Sequence, residues 1–150
     1  MNTWLATAER VARAAHADQV DKAQEPYIHH PERVARITAG ITPSEEARAA
    51  AWLHDVLEDT VVTSADLRDV GIPETVIEVV ELLTRGETED IDSYIKRLRG
   101  HPLARAVKVA DLVDNSSPVR LDALPAADHE RLRAKYHRMW ALLLDTAPAF

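Results

Sequence analysis

Apolar residues in this chain return at intervals of three and four, and no stretch alternates convincingly residue by residue. A strand needs a period of two and a helix one near 3.6, so the pattern restricts the chain to helices. Residues 3–17 carry Trp4, Leu5, Ala8, Val11, Ala12 and Ala15 at helical spacing. Residues 18–30 lose the period, hold Pro26 and read as a loop. Pro31 suits the first turn of a helix over 31–39, with Gly40 at its end. Thr42-Pro43-Ser44-Glu45 reads as an N-cap, an N1 proline and a capping-box glutamate, opening a helix that runs through AWLHDVLED. A short helix over 64–70 stops at Gly71, and Pro73 opens another over 73–84. Segments 88–99, 102–115 and 126–145 complete the set. The expected fold is all-α, a compact helical bundle forming one domain over residues 1–150.

Charge and composition narrow the function. With 18 basic and 25 acidic residues the chain carries a net charge of −7. That argues against nonspecific binding to nucleic acid or to an anionic membrane. A small anionic substrate stays compatible, because a bound metal and a few local cations invert the field locally. There is no cysteine, hence no disulfide framework and no thiolate metal site. No apolar run approaches a membrane span, and the N-terminus lacks the layout of a signal peptide. The expectation is a soluble, cytoplasmic protein.

One helix departs from simple amphipathicity. In AAWLHDVLEDT, residues 50–60, the polar groups His54, Asp55, Glu58 and Asp59 sit among Ala51, Trp52, Leu53, Val56 and Leu57. In a continuous helix His54 stacks on Glu58 and Asp55 on Asp59, making a patch of one imidazole and three carboxylates. Most charged helix stripes are solvated surface, and a His54–Glu58 pair adds only a few tenths of a kcal/mol. Three acids together repel one another, however, and a divalent cation would relieve that repulsion. Two further segments offer partners. EPYIHHPERVARI holds His29 and His30 before Pro31. In ARAVKVADLVDNS, Asp111 interrupts an apolar helix, which is unusual unless it is paired, with Lys108 or Arg105, or ligating.

Taken in order, YI-x-HP, HD-xx-ED and VK-x-AD-xxx-N resemble the HD-domain metal-dependent phosphohydrolases. Within them the chain is most similar to the hydrolase domain of the RelA/SpoT group and its small single-domain relatives. The resemblance runs from about His16 to Asn115 and into the last helix through RLRAKYHRMW. It implies one divalent metal, usually Mn²⁺, held by His30, His54, Asp55 and Asp111. Two imidazoles and two carboxylates suit Mn²⁺, Fe²⁺ or Zn²⁺ better than Ca²⁺. The same resemblance makes Glu58 and Asp59 the catalytic acidic pair that orients and deprotonates a water. It gives Lys22 a phosphate to bind and Asn115 a substrate contact, although an asparagine there also suits a helix C-cap. His30 is chosen over His29 because the family histidine directly precedes proline.

The loop H-x-x-Q-x-D-K-x-x-E-P-Y-I departs from the family in one informative way. Asp21 stands where the (p)ppGpp hydrolases usually have an arginine that contacts the guanine base. A carboxylate cannot replace a stacking guanidinium. Ser116-Ser117-Pro118 is a second departure, with no polar contact at Pro118. Lys108 reads as a screen for the acids, His16 as a helix-end cation or a support for the site, and Tyr136 as core. His101, His129 and His137 read as surface residues. The leading expectation is a metal-dependent phosphohydrolase of a phosphorylated nucleotide, foremost a (p)ppGpp 3′-pyrophosphohydrolase. The alternatives are a phosphatase of another nucleotide or nucleotide cofactor, and a non-catalytic nucleotide- or metal-binding module.

Overall fold

A computed structural model describes residues 2–145. Among them every regular element is helical: α1 (Thr3–Ala15), α2 (His29–Ile41), α3 (Glu45–Leu53), α4 (Val56–Asp59), α5 (Ser64–Asp69), α6 (Glu74–Leu83), α7 (Ile91–Leu98), α8 (Pro102–Asn115), α9 (Pro118–Asp122) and α10 (Ala126–Leu143). The only extended pairing there is a bridge between Val20 and Pro26 that closes the base of the 20s loop. Among the described residues no helix is long and apolar enough to cross a membrane.

The bundle is organised around α3. Its sequence, EEARAAAWL, buries Ala47, Ala49, Ala50, Ala51, Trp52 and Leu53, so it is apolar on nearly all sides. Short alanines let neighbours approach closely, and α1, α2, α6 and α8 all pack against it. The brief turn between α2 and α3 makes the two antiparallel, bringing the start of α2 beside the end of α3. Because α8 packs against both α2 and α3, its middle turn faces that same end.

Several boundaries differ from expectation. Helix α2 starts at His29, two residues before Pro31, and continues through Gly40. A proline in the first turn costs nothing there, because its missing N–H would have no helical partner. The N-cap of α3 is Ser44, whose Oγ accepts from the Ala47 N–H at 3.1 Å. Thr42 instead closes α2, with its N–H donating to the Thr38 carbonyl, and Glu45 accepts from the Asn2 side chain rather than completing a capping box. Segment 118–122 forms the unexpected α9, opened by Pro118 at its first position. If Ser44 is the cap, Ser44→Ala should cost about 0.5–2 kcal/mol in a urea melt, and Thr42→Ala less. The reverse order would contradict the observed cap.

The AWLHDVLED helix is not continuous. It ends at Leu53 and resumes at Val56, with His54 and Asp55 in a tighter turn between. The His54 ring supplies a reason. Its Nδ1 donates to the Ala51 carbonyl at 2.7 Å, the acceptor that a continuous helix would give to the Asp55 N–H. The straight stacking of His54 on Glu58 therefore does not hold. His54 turns inward, and Asp55 brings Oδ2 toward the same side while also lying within reach of Glu58 and Asp59.

Candidate metal centre and active-site cleft

The inward-turned ring of His54 meets two other elements. His30 comes from the first turn of α2 and Asp111 from the buried face of α8, both almost inaccessible to solvent. Nε2 of His30 lies 2.9 Å from Asp111 Oδ1, and Nε2 of His54 lies 3.3 Å from the same oxygen. Asp55 Oδ2 is 3.1 Å from His54 Nε2 and 3.7 Å from His30 Nε2. Two imidazole nitrogens and two carboxylates thus face one small centre. His29 is exposed and lines the cleft, outside the group of ligand atoms that converge.

These residues fit a cation. A carbonyl only accepts, so the proton in the His54–Ala51 contact sits on Nδ1 and the lone pair on Nε2 points inward. That Nε2 is fully buried and has no hydrogen-bond partner among the described residues. An orphaned buried acceptor is expensive unless something at the centre satisfies it. Burial opposes charge on each group, yet opposite charges nearby outweigh it. His54 and His30 hold Asp55 below the ordinary carboxylate range. Lys108 and the two histidines hold Asp111 well below it. Without a cation, the same acids favour a second proton on each imidazole at Nε2, the position a cation would take over, so both imidazoles are raised in turn.

Each inward group is held by a neighbour outside the cluster. The Tyr27 hydroxyl donates to Asp55 Oδ2. Burial, then the charge of Asp55, pushes that phenol far above its usual value, so it stays a donor. Lys108, itself buried, donates to Asp111 Oδ2 at 2.8 Å and lies 5.1 Å from the Tyr94 ring centroid. It screens the acid, as expected. Arg105, the other suggested partner of Asp111, reaches the Leu143 carbonyl instead. His30 Nδ1 lies 2.7 Å from Asp114, a residue the sequence reading did not single out.

The remaining candidates line one cleft of about 880 Å³ above this centre. Glu58 and Asp59 form one wall. Glu58 Oε1 accepts from the Arg85 N–H at 3.0 Å. Partial burial, then the charges of Asp55 and Glu58, raises the Asp59 carboxyl to about 6. Lys22 lies at the exposed mouth, and Arg85, Arg131 and Lys135 add cations around the rim. Asn115 is not the C-cap of α8, a place taken by Ser116. Its Nδ2 donates to Asp111 Oδ1 at 3.0 Å, and its Oδ1 accepts from Arg120 Nη1 at 2.8 Å. Tyr136 packs against the core and also faces the cleft.

Of the two readings of His16, the support for the site is the one its contacts favour, and Asp21 has partners not foreseen. His16 caps α1 and is buried, and burial lowers its pKa, so it is not a helix-end cation. Its Nδ1 contacts Gln19 Oε1 at 2.6 Å, while Gln19 Nε2 donates to the Asp59 carbonyl at 2.8 Å, tying the loop to the acidic wall. Asp21 is turned into its own loop, accepting from the N–H groups of Ala23 and Glu25 at 2.8 and 3.0 Å. Its second oxygen lies 3.6 Å from Arg120.

The fold and the inward His/Asp cluster define a helical bundle with a buried centre suited to a divalent cation, and comparison with known proteins supplies the family. The chain matches the HD domain over residues 8–94 and belongs to that family. HD-domain hydrolases bind a divalent metal, and the His/Asp cluster is a site suited to one. Among curated proteins it is similar to guanosine-3′,5′-bis(diphosphate) 3′-pyrophosphohydrolase of Vibrio cholerae, 48% identical over 71 residues, which is 47% of this chain and 10% of that protein. It is also similar to the bifunctional (p)ppGpp synthase/hydrolase RelA of Mycobacterium tuberculosis, 33% identical over 126 residues, covering 77% of this chain and 17% of that protein. The chain therefore spans less than a fifth of the length of these relatives. A solved structure of a metazoan ortholog of SpoT that hydrolyses ppGpp shares the fold, with a TM-score of 0.70, 22% identity and coverage of 95% of this chain and 98% of that one.

Proposed function

We propose that this chain is a divalent-metal-dependent phosphohydrolase of phosphorylated nucleotides, with (p)ppGpp the leading substrate. The observation that carries this reading is the buried convergence of His30, His54, Asp55 and Asp111 beneath a cleft with acids on one wall and cations at its rim. The names of the curated relatives point to the same substrate. The four residues are the proposed metal ligands, and Mn²⁺ is the proposed ion. When bound, the metal supplies Lewis acidity and lowers the pKa of water. Glu58 and Asp59 accept the proton of the attacking water. Lys22 at the mouth holds a phosphate as a point charge. The second Nδ2 hydrogen of Asn115 is left for substrate, because the first is spent on Asp111. Hydrolysis of the 3′ ester would release pyrophosphate and leave the 3′ hydroxyl.

A second reading, hydrolysis of another nucleotide, draws on Asp21. Its carboxylate closes the loop beside Lys22 and offers no stacking surface for a base. One assay separates the two. The manganese-loaded protein should release pyrophosphate from ppGpp and pppGpp faster than phosphate from NADPH or dNTPs. Preference for the latter would establish the second reading, and release from none would sink both.

Metal should also stabilise the fold by offsetting repulsion among Asp55, Glu58, Asp59 and Asp111. At one hundred times the dissociation constant the gain is about 2.7 kcal/mol. Melting after chelation, with and without Mn²⁺, measures it. An unchanged midpoint at saturating metal would count against a shared site.

A further inference from the structure

Asp114 follows Asp111 by three residues on α8 and is buried behind His30, away from the cleft. Its Oδ1 accepts from Arg33 Nε at 2.7 Å. Its Oδ2 accepts from Arg33 Nη2 at 3.2 Å, from Arg120 Nη1 at 2.9 Å and meets His30 Nδ1 at 2.7 Å. Two guanidiniums already balance one carboxylate. A role limited to charge balance has no use for the third contact, onto a ring nitrogen of another helix.

We propose that Asp114 is a positioning residue for the metal centre: braced by Arg33 and Arg120, it keeps the His30 proton on Nδ1 and aims the Nε2 lone pair at His54, Asp55 and Asp111. This rests on the metal reading above. The geometry carries it. An ionised carboxylate has no proton to give, so the hydrogen in the 2.7 Å contact belongs to His30; Arg120 Nη1, 3.2 Å from the same nitrogen, gives its two hydrogens to the shorter contacts with Asp114 and Asn115. With Nδ1 protonated, the neutral ring can ligate only through Nε2, the nitrogen that faces Asp111 and Asp55. The arginines have a definite part. Their hydrogen bonds to both carboxylate oxygens keep Asp114 fixed in place, and two adjacent guanidiniums favour its ionised, accepting form. An imidazole–carboxylate contact of this kind typically fixes the tautomer of a ligating histidine.

Calorimetric Mn²⁺ titration of the full chain tests this, alongside ¹⁵N–¹H spectra of histidine-labelled, Zn²⁺-loaded protein. The wild type should show His30 protonated at Nδ1 and metal-bound through Nε2. Asp114→Ala should weaken Mn²⁺ binding about 10–100-fold and expose the Nδ1 proton to rapid exchange. Asp114→Asn retains an acceptor oxygen and should fall between. Coordination of His30 through Nδ1 in the wild type would overturn the proposal, even if both variants failed to fold. So would a folded Asp114→Ala protein with wild-type affinity and an unchanged His30 signal. Absence of any Mn²⁺ binding by the wild type would overturn the underlying metal reading instead, and this proposal with it.

Discussion

Glu58→Gln is expected to retain the metal and to lose about 10²–10⁴-fold in turnover, the usual cost of removing a general base. The amide keeps the size of the side chain and an oxygen that can still accept from the Arg85 N–H, so the wall of the cleft should survive. What it loses is the capacity to take a proton from water. His54→Ala should fail differently, losing metal and turnover together, because it removes the inward Nε2 and opens the core at the turn. Asp59 makes the comparison informative. It stands beside Glu58 on the same wall and offers a second carboxylate able to take a proton from water. Parallel measurement of kcat and of Mn²⁺ affinity for Glu58→Gln and Asp59→Asn would apportion the work. Near-wild-type turnover by Glu58→Gln, with collapse in Asp59→Asn, would move the base to Asp59.

Lys108→Met should destabilise the metal-free protein by about 3–5 kcal/mol, the cost of stripping one partner from a buried ion pair. Lys108 is buried against Tyr94 and donates to Asp111, so an apolar side chain of similar length leaves that carboxylate without its fixed cation. The same change removes a positive charge from beside the proposed ion. Mn²⁺ should therefore stabilise the variant more than it stabilises the wild type. Urea unfolding of both proteins with and without metal reads both quantities. If metal-free Lys108→Met is as stable as the wild type, Asp111 does not depend on that charge.

Local chemistry made the helices readable and tertiary contacts set their details. The bounds of α8 match the expected 102–115, since Pro102 opens it and its apolar period is unbroken up to Asp111. The break at His54 was not readable, because it depends on a ring that bonds its own helix only when buried. Nor was the start of α2, since a proline is harmless throughout the first turn and marks no single position. For the candidate site, the motif residues could be named because histidines and aspartates inside apolar helices stand out. Asp114 does not stand out. An aspartate near a helix end reads as solvated surface, and its burial comes from Arg33 and Arg120, which lie far from it or beyond the helix. The spacing from Asp111 was the one available signal, since residues three apart share a helix face. At Asp21 the residue type was legible but its surroundings were not: one oxygen accepts within the loop and the other lies near Arg120.

The contact between His30 and Asp111 joins residues 81 positions apart. It has a consequence for the order of events in folding. The inward centre cannot exist until α2 and α8 have both docked on α3, and closing so long a segment is entropically late relative to turns such as the one between α2 and α3. A cation that binds only this finished arrangement has nothing to hold in the transition state. Its whole effect then falls on escape from the native state. Mn²⁺ is thus expected to leave the refolding rate unchanged and to slow unfolding, so that the ion acts on the lifetime of the folded chain rather than on its formation.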